Sequence, residues 1–448
     1  MLFLGRTCRT AAAATIALAC LVAGCAPVAD AIDAMSNGTA EDRTLAPGPA
    51  ARALHDRLLV ADLHADTLLW RRAISPTEMR RGHVDLVRME RGNIGLQAFT
   101  IPTRVPIGRS CISGRGPDPA GLLATLNGWP PGTRTSAYHR ALHQASTLAA
   151  AAAASRKGSG ARLSIIRSVD DLRAWLSARF PEPGTINRDE IGVILGLEGS
   201  HALNDTVGAE LDALYRLGLR MIAPTHRFDN AFGGSSEGCD RYGLTMPLGK
   251  RLIETAIARR MIVDLAHASS GTLEAAVAIA ASHRHPVVIS HSGLRSFLER
   301  LPPCCNGEPM RGNTDAELVA VAQTGGVFGI GFWKEVLGTA DVDYIVAAIR
   351  HALAVLEAHE GRPPPAPGLR TIKRASQHIG LGSDWDGAVR TAIDAGQVGL
   401  ITEGLMAAGI SQDRIADIMG RNVCRVVAQS LAGGSLTFDQ ALQLCNGG

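Results

Sequence analysis

VADLHADTLL, Val60 to Leu69, is apolar until it delivers His64 and Asp66. Side chains alternate along a strand, so an imidazole and a carboxylate two residues apart project to the same side. A strand interior has no use for that pair unless it holds something. Reading outward, further apolar runs follow: NIGLQAFTI, IGVILGLEG, LGLRMIAPTH, MIVDLAHAS, PVVISHSG, GGVFGIGF and HIGLGSDWDG. Segments of helical period separate several of them, among them LGKRLIETAIARR and GTLEAAVAIAASHR. Strand–helix alternation of this kind implies a parallel sheet covered by helices. Eight such runs predict a (β/α)8 TIM-type barrel, in which active residues gather at the C-terminal ends of the strands.

The polar residues obey that rule. The third run ends in Glu198, the fourth in His226 and the fifth in His267. The sixth delivers His291 and the eighth Asp384. A single histidine near a strand end is unremarkable, but a barrel brings all these ends to one rim. Imidazole and carboxylate ligands without thiolates suit zinc, ahead of manganese or iron on ligand type. Three histidines, an aspartate and a glutamate exceed what one tetrahedral catalytic ion needs. Two ions use them fully: His64 and Asp66 on one, His267 and His291 on the other, Glu198 bridging. Ions about 3.5–4 Å apart can share one hydroxide, lowering the pKa of its parent water.

The ends of the chain carry a different signal. MLFLGRTCRT supplies a basic start and AAAATIALACLVAG an apolar run too short to span a bilayer comfortably. The run closes on LVAGC, which resembles the lipobox of bacterial lipoproteins, with Val22 where Leu is commonest. Residues 1–24 are therefore expected to be a signal peptide and Cys25 the lipidated residue of an exported protein. It would be anchored to a membrane and face the periplasm or the cell exterior. Residues 25–50, small, polar and proline-punctuated, read as a flexible tether, and 51–448 as the barrel domain. Beyond Cys25 lie Cys111, Cys239, Cys304, Cys305, Cys424 and Cys445. In an oxidising compartment these favour disulfides, with Cys424–Cys445 a plausible C-terminal staple. A formal charge of +3 over 448 residues, and no basic stripe interleaved with aromatics, argue against a nucleic-acid partner.

One stretch breaks the short-loop rhythm. Residues 102–190 form a long insertion after the second strand, expected over the catalytic mouth or against the barrel flank. It contains a helical run through YHRALHQASTLAAAAAASRKGSG, in which Ala149 to Ala154 read as helix propensity. Residues 396–431, after the last strand, also read as helices.

Taken together, DLHADTL, LGLEGSHAL, PTHRFDNAF, DLAHAS, VVISHSGLRS and HIGLGSDWDG resemble the membrane dipeptidase family of zinc peptidases, over roughly residues 55 to 425. The resemblance implies that His64, Asp66 and Glu198 bind one zinc, and that Glu198, His267 and His291 bind the other. It gives His226 the scissile carbonyl and its oxyanion. Asp384 becomes the acid/base that moves a proton from the bridging water to the departing amine. Arg311, in MRGNTDAEL, is assigned the substrate's free carboxylate, although Gly312 stands where the family commonly has Asn; Arg295 and Arg300 are alternatives. The implied substrates are dipeptides, including those with a D-residue on the C-terminal side, and a homodimer is a common family assembly. The metal-bridging hydroxide would be the nucleophile.

Two rival functions start from the same residues. Another metal hydrolase on this barrel, acting on a cyclic amide or lactam, would commonly show HxH and a bridging lysine. A lipoprotein that only binds peptides would be expected to have lost a ligand. Among the remaining polar residues, His201 reads as a hydrogen-bond partner behind the ligands and Asp386 as a loop cap. His83, His139, His143, His283 and His285 read as surface residues, while Trp70 and Trp333 line the pocket or pack beside it.

Overall fold

Runs without in/out alternation belong to strands covered on both faces, and parallel strands are covered that way. The computed structural model describes residues 25–105, 119–158, 160–301 and 311–446. Its strands are β1 (Val60–Ala65), β2 (Ile94–Pro102), β3 (Arg162–Ile165), β4 (Glu190–Glu198), β5 (Leu219–Ile222), β6 (Ile262–Asp264), β7 (Val287–Ser292), β8 (Val327–Ile330) and β9 (Ile379–Leu381). All pair in parallel, and the succession β1-β2-β4-β5-β6-β7-β8-β9 closes where Asp62 lies opposite Leu381. The protein is a (β/α)8 barrel.

Those staves are the apolar runs of the sequence. The addition is β3, inside the insertion, which pairs with Glu190–Val193 of β4 just before β5 takes over that edge at Leu195. RLSI is short and half-exposed, so it carries no strong apolar signal. The insertion both covers the mouth and lines the flank. Ala124 and Trp129 pack on Leu69 and Trp70 beyond β1. The helix Ala137–Ser155, capped by Ser136 and holding the alanine run, is pinned to the end of β2. There Arg140 donates to Thr103 O at 2.8 Å and Gln144 to Pro102 O at 3.4 Å. After β9 come helices Gly399–Ala407, Gln412–Ala416, Asn422–Ala432 and Phe438–Cys445. A Cys424–Cys445 disulfide joins the last two. Cys239 is also disulfide-bonded. Cys111, Cys304, Cys305 and the expected signal peptide 1–24 lie outside the described residues.

The expected tether is not a tether. Cys25–Ser36 is a helix docked at the barrel mouth, and the chain after it stays attached. Asp30 pairs with Arg71 at 2.9 Å and Arg81 at 2.8 Å. Asp33, buried, pairs with Arg72 at 2.8 Å. Gly38 O accepts from Thr391 N and His83 Nε2, and Ala40 N donates to Thr391 O. Composition missed this because small residues and a few charges also suit a linker. The two aspartates, three apart, lie on one helical face and meet three arginines of the loop after β1.

Candidate metal centre and active site

Each predicted ligand arrives from the end of its own stave. His64 belongs to β1, with Asp66 just beyond it; Glu198 ends β4; His267 follows β6; His291 belongs to β7. They meet at one oxygen. Glu198 Oε1 lies 3.0 Å from His267 Nε2, 3.4 Å from His291 Nε2 and 3.5 Å from His64 Nε2. His64 Nε2 is also 3.4 Å from Asp66 Oδ1 and 3.7 Å from Asp384 Oδ1. His226 Nε2 is 3.5 Å from Glu198 Oε2. All are buried.

Backbone conformation aims several of these groups. His267 and Asp384 have φ of 61° and 59°, the left-handed region that most side chains avoid and that clusters at functional sites. Gly387 is needed beside Asp384, because a Cβ there would sit 2.1 Å from Asp384 Oδ1. Gly199, at φ 80°, lets the chain turn after Glu198, where a Cβ would press on His226 at 2.7 Å.

The donor set fits a cation. His267 Nε2 and His291 Nε2 stand 3.1 Å apart, and neutral rings turning lone pairs inward at that distance repel unless a positive charge lies between. Glu198 Oε2 is buried with no hydrogen-bond partner. Burial, together with Asp66, pushes the Glu198 carboxyl well above its ordinary range. Burial and Asp66 likewise push Asp384 up to about 7. Burial opposes a proton on His64, yet Glu198 and Asp66 outweigh it and raise that ring to about 10. Burial lowers His267 and His291 well below the usual histidine value. The cluster is short of positive charge, and burial keeps the His267 and His291 nitrogens as unprotonated bases. The residues present fit a metal ion.

Around them sit groups that strand-end reading did not single out. Thr100, on β2, donates to Asp66 Oδ1 at 2.6 Å. Ser290 Oγ faces both His64 Nδ1 at 3.2 Å and His291 Nδ1 at 2.8 Å, so one hydroxyl can accept both ring protons and leave Nε2 free on each. Glu237 Oε2 lies 2.6 Å from His267 Nδ1. Asp62, one turn of the pleat below His64, binds Gln97, Ser383 N and Ser383 Oγ. Only Asp62, alternating in phase with His64 and Asp66, had a signal in the sequence.

Arg311 reaches the cluster. Its Nη2 donates to His291 O at 2.8 Å, and its guanidinium carbon lies 5.5 Å from the Trp333 ring centre. Arg295 and Arg300 are exposed, Arg300 pointing to His351 instead. His226 turns Nδ1 to Arg104 O at 2.9 Å, and burial lowers its pKa to about 3.

Several lesser expectations are corrected. Asp386 is no loop cap but a buried hub, accepting from Thr67 Oγ1 and His83 N and pairing with Arg72 at 2.5 Å. His83 and His285 are buried, whereas His139 and His283 are exposed and His143 is partly buried. His201 packs on Phe228, and neither of its ring nitrogens has a hydrogen-bond partner. Trp70 is buried and donates to Asp386 O at 2.6 Å.

The family model for membrane dipeptidases (peptidase family M19) matches residues 49–359 and 373–434. The chain belongs to the membrane dipeptidase family. Among curated relatives, the dipeptidase verJ of Clonostachys rogersoniana is 29% identical over 244 residues, covering 53% of this chain and 55% of that protein. An uncharacterized dipeptidase of Schizosaccharomyces pombe is 27% identical over 248 residues, 53% of each. This membrane dipeptidase homologue thus spans about half the length of the curated relatives it matches. Among solved structures, the probable dipeptidase PvdM of Pseudomonas aeruginosa superposes with a TM-score of 0.62 at 18% identity, covering 86% of this chain and 98% of that one. A metallopeptidase of Rhodobacter sphaeroides, liganded with a phosphinate mimic of the dipeptide L-Ala-D-Ala, gives 0.59 at 21% identity over 84% and 100%. Both share the fold.

Proposed function

We propose that this chain is a dinuclear zinc dipeptidase. The observation that carries the reading is the convergence of His64, His267 and His291 on Glu198 Oε1, with Arg311 beside them. His64, Asp66 and Glu198 would hold one ion; Glu198, His267 and His291 the other. When bound, two such cations supply Lewis acidity for the scissile carbonyl and acidify a water.

The chain's own residues do the rest. Arg311 keeps N–H groups beyond the one given to His291 O, and its planar fork suits a terminal carboxylate. A carboxylate clamp this close to the scissile position admits only very short peptides. Asp384 takes a proton from the attacking water and returns it to the departing amine, a task favoured by a carboxyl poised near neutrality. His226 spends its Nδ1 proton on Arg104 O, so it can donate from Nε2 only as an imidazolium. Its burial disfavours that charge until a negative oxygen forms opposite, which ties its contribution to the transition state. The D-alanine mimic on the Rhodobacter protein motivates including D-residues at the C-terminal side.

The test is a panel of L-Xaa-L and L-Xaa-D dipeptides, with a lactam and a tripeptide, assayed before and after chelation. Dipeptide turnover that vanishes with chelator and returns with zinc is expected, alongside two ions per chain by metal analysis. Turnover indifferent to chelation, or confined to the lactam, overturns the reading. Export as a lipoprotein is part of the proposal, supported by LVAGC, and Cys25 carries a free thiol at a partly exposed position. No helix among the described residues is long and apolar enough to cross a membrane. Intact-mass analysis should find a diacylglyceryl group on Cys25 that Cys25→Ala abolishes; an unmodified mature chain would refute it.

A further inference from the structure

We infer that Glu237 is a positioning residue for the second cation site, holding the His267 ring so that Nε2 faces Glu198. The inference rests on the dinuclear reading above. Glu237 Oε2 lies 2.6 Å from His267 Nδ1, and on the far side of the ring Nε2 lies 3.0 Å from Glu198 Oε1. A proton on Nδ1, donated to Glu237, leaves the Nε2 lone pair free for a metal.

His267 needs this help more than its partners do. It follows β6 by three residues with a left-handed backbone, so regular strand geometry does not aim its ring. His64 and His291 lie within strands and share the neutral hydroxyl of Ser290. Behind His267 stands a carboxylate, which both fixes the tautomer and makes the ring a stronger base toward a cation.

The support is built in. Glu237 Oε1 accepts from Arg227 Nε at 2.8 Å, and Glu237 N donates to Ser235 Oγ. Ser236 N donates to His267 O at 2.8 Å, and Ser235 bridges to Ala268. The loop is therefore fastened to the backbone of His267 itself and of the residue after it. Cys239, two residues further on in the same loop, is disulfide-bonded. Because the Glu237 side chain is 25% exposed, replacing it leaves neither a deep cavity nor a stranded buried charge.

Chelator-competition titration of zinc, with the thermal midpoint of the metal-free chain as a second readout, tests this on wild type, Glu237→Ala and Glu237→Gln. In Glu237→Ala one ion should loosen about 10–100-fold while the other is held as before. Glu237→Gln, which keeps an acceptor for Nδ1 but not its charge, should fall between the two. The metal-free midpoint should be the same in all three. Equal affinities in wild type and Glu237→Ala would overturn the proposal, and so would equal loosening of both ions or a lowered metal-free midpoint. A wild type holding a single ion would sink the dinuclear reading alone, since the wild-type-to-variant ratio still judges Glu237. A wild type holding none would sink both.

Discussion

Asp384 stands at a left-handed turn with Gly387 leaving room for its carboxylate, 3.7 Å from His64 Nε2. In the proposed function that side chain is there for its proton. Asp384→Asn keeps the size and removes the titration, so turnover should fall by about 10²–10⁴ while both metals stay bound. Survival of turnover would move proton transfer to another group. Arg311 and His226, in their proposed roles, separate in a different way. Arg311 meets a charge the substrate already carries, so Arg311→Ala should raise KM about 10–100-fold, the worth of a charge-assisted hydrogen bond, with little change in kcat. His226 meets a charge that forms only during reaction, so His226→Ala should lower kcat and leave KM nearly unchanged. Steady-state kinetics on one dipeptide checks both, and exchanged effects would reverse the two roles. The convergence of the candidate ligands was legible because strand ends must meet at one rim in a barrel. Thr100, Ser290 and Glu237 were not, because a hydroxyl or a loop carboxylate gains its role only from neighbours across the barrel.

At the level of elements, the periodicity of apolar runs located every stave, since a strand buried on both faces can be written in few other ways. What it missed lacks that constraint. β3 is half-exposed, and the helix Cys25–Ser36 is held by its aspartates together with a small apolar contact through Ala29 and Ile32. Its hold extends toward the site: Asp33 pairs with Arg72, Arg72 with Asp386, and Asp386 with Thr67, the neighbour of Asp66. Arg72→Ala removes the guanidinium shared by two buried carboxylates and should destabilise the fold by about 3–5 kcal/mol. Asp33→Asn, which leaves Arg72 with Asp386, should cost less. Urea denaturation of these variants, and of a chain starting at residue 41, checks the point. A tether predicts no change on truncation; the docked helix predicts a lower midpoint.

For the molecule as a whole, two buried histidines at the N-terminal ends of β7 and β9, at the opposite ends of those strands from the site, contribute to how it meets acid. His285 donates from Nε2 to Met261 O at 3.0 Å, and His378 from Nδ1 to Gly326 O at 3.0 Å. Burial lowers them to about 4 and about 3 respectively. In the unfolded chain both return to the ordinary value of 6.5. At neutral pH neither state binds a proton at these positions, and their contribution to stability is complete. As pH falls through 6.5 the unfolded chain takes up protons that the folded chain refuses. Stability is lost until the folded pKa is reached, and below it the two states are protonated alike. At about 1.4 kcal/mol for each tenfold difference in proton affinity, the loss is on the order of 3 kcal/mol or more per histidine. His285→Gln and His378→Asn place an amide N–H near the same carbonyls without a titrating ring. The double variant should therefore lose less stability than wild type between pH 6.5 and pH 4, measured by urea midpoints at saturating zinc. Metal release affects both proteins equally, so parallel curves for the two would show that these rings do not carry the acid sensitivity.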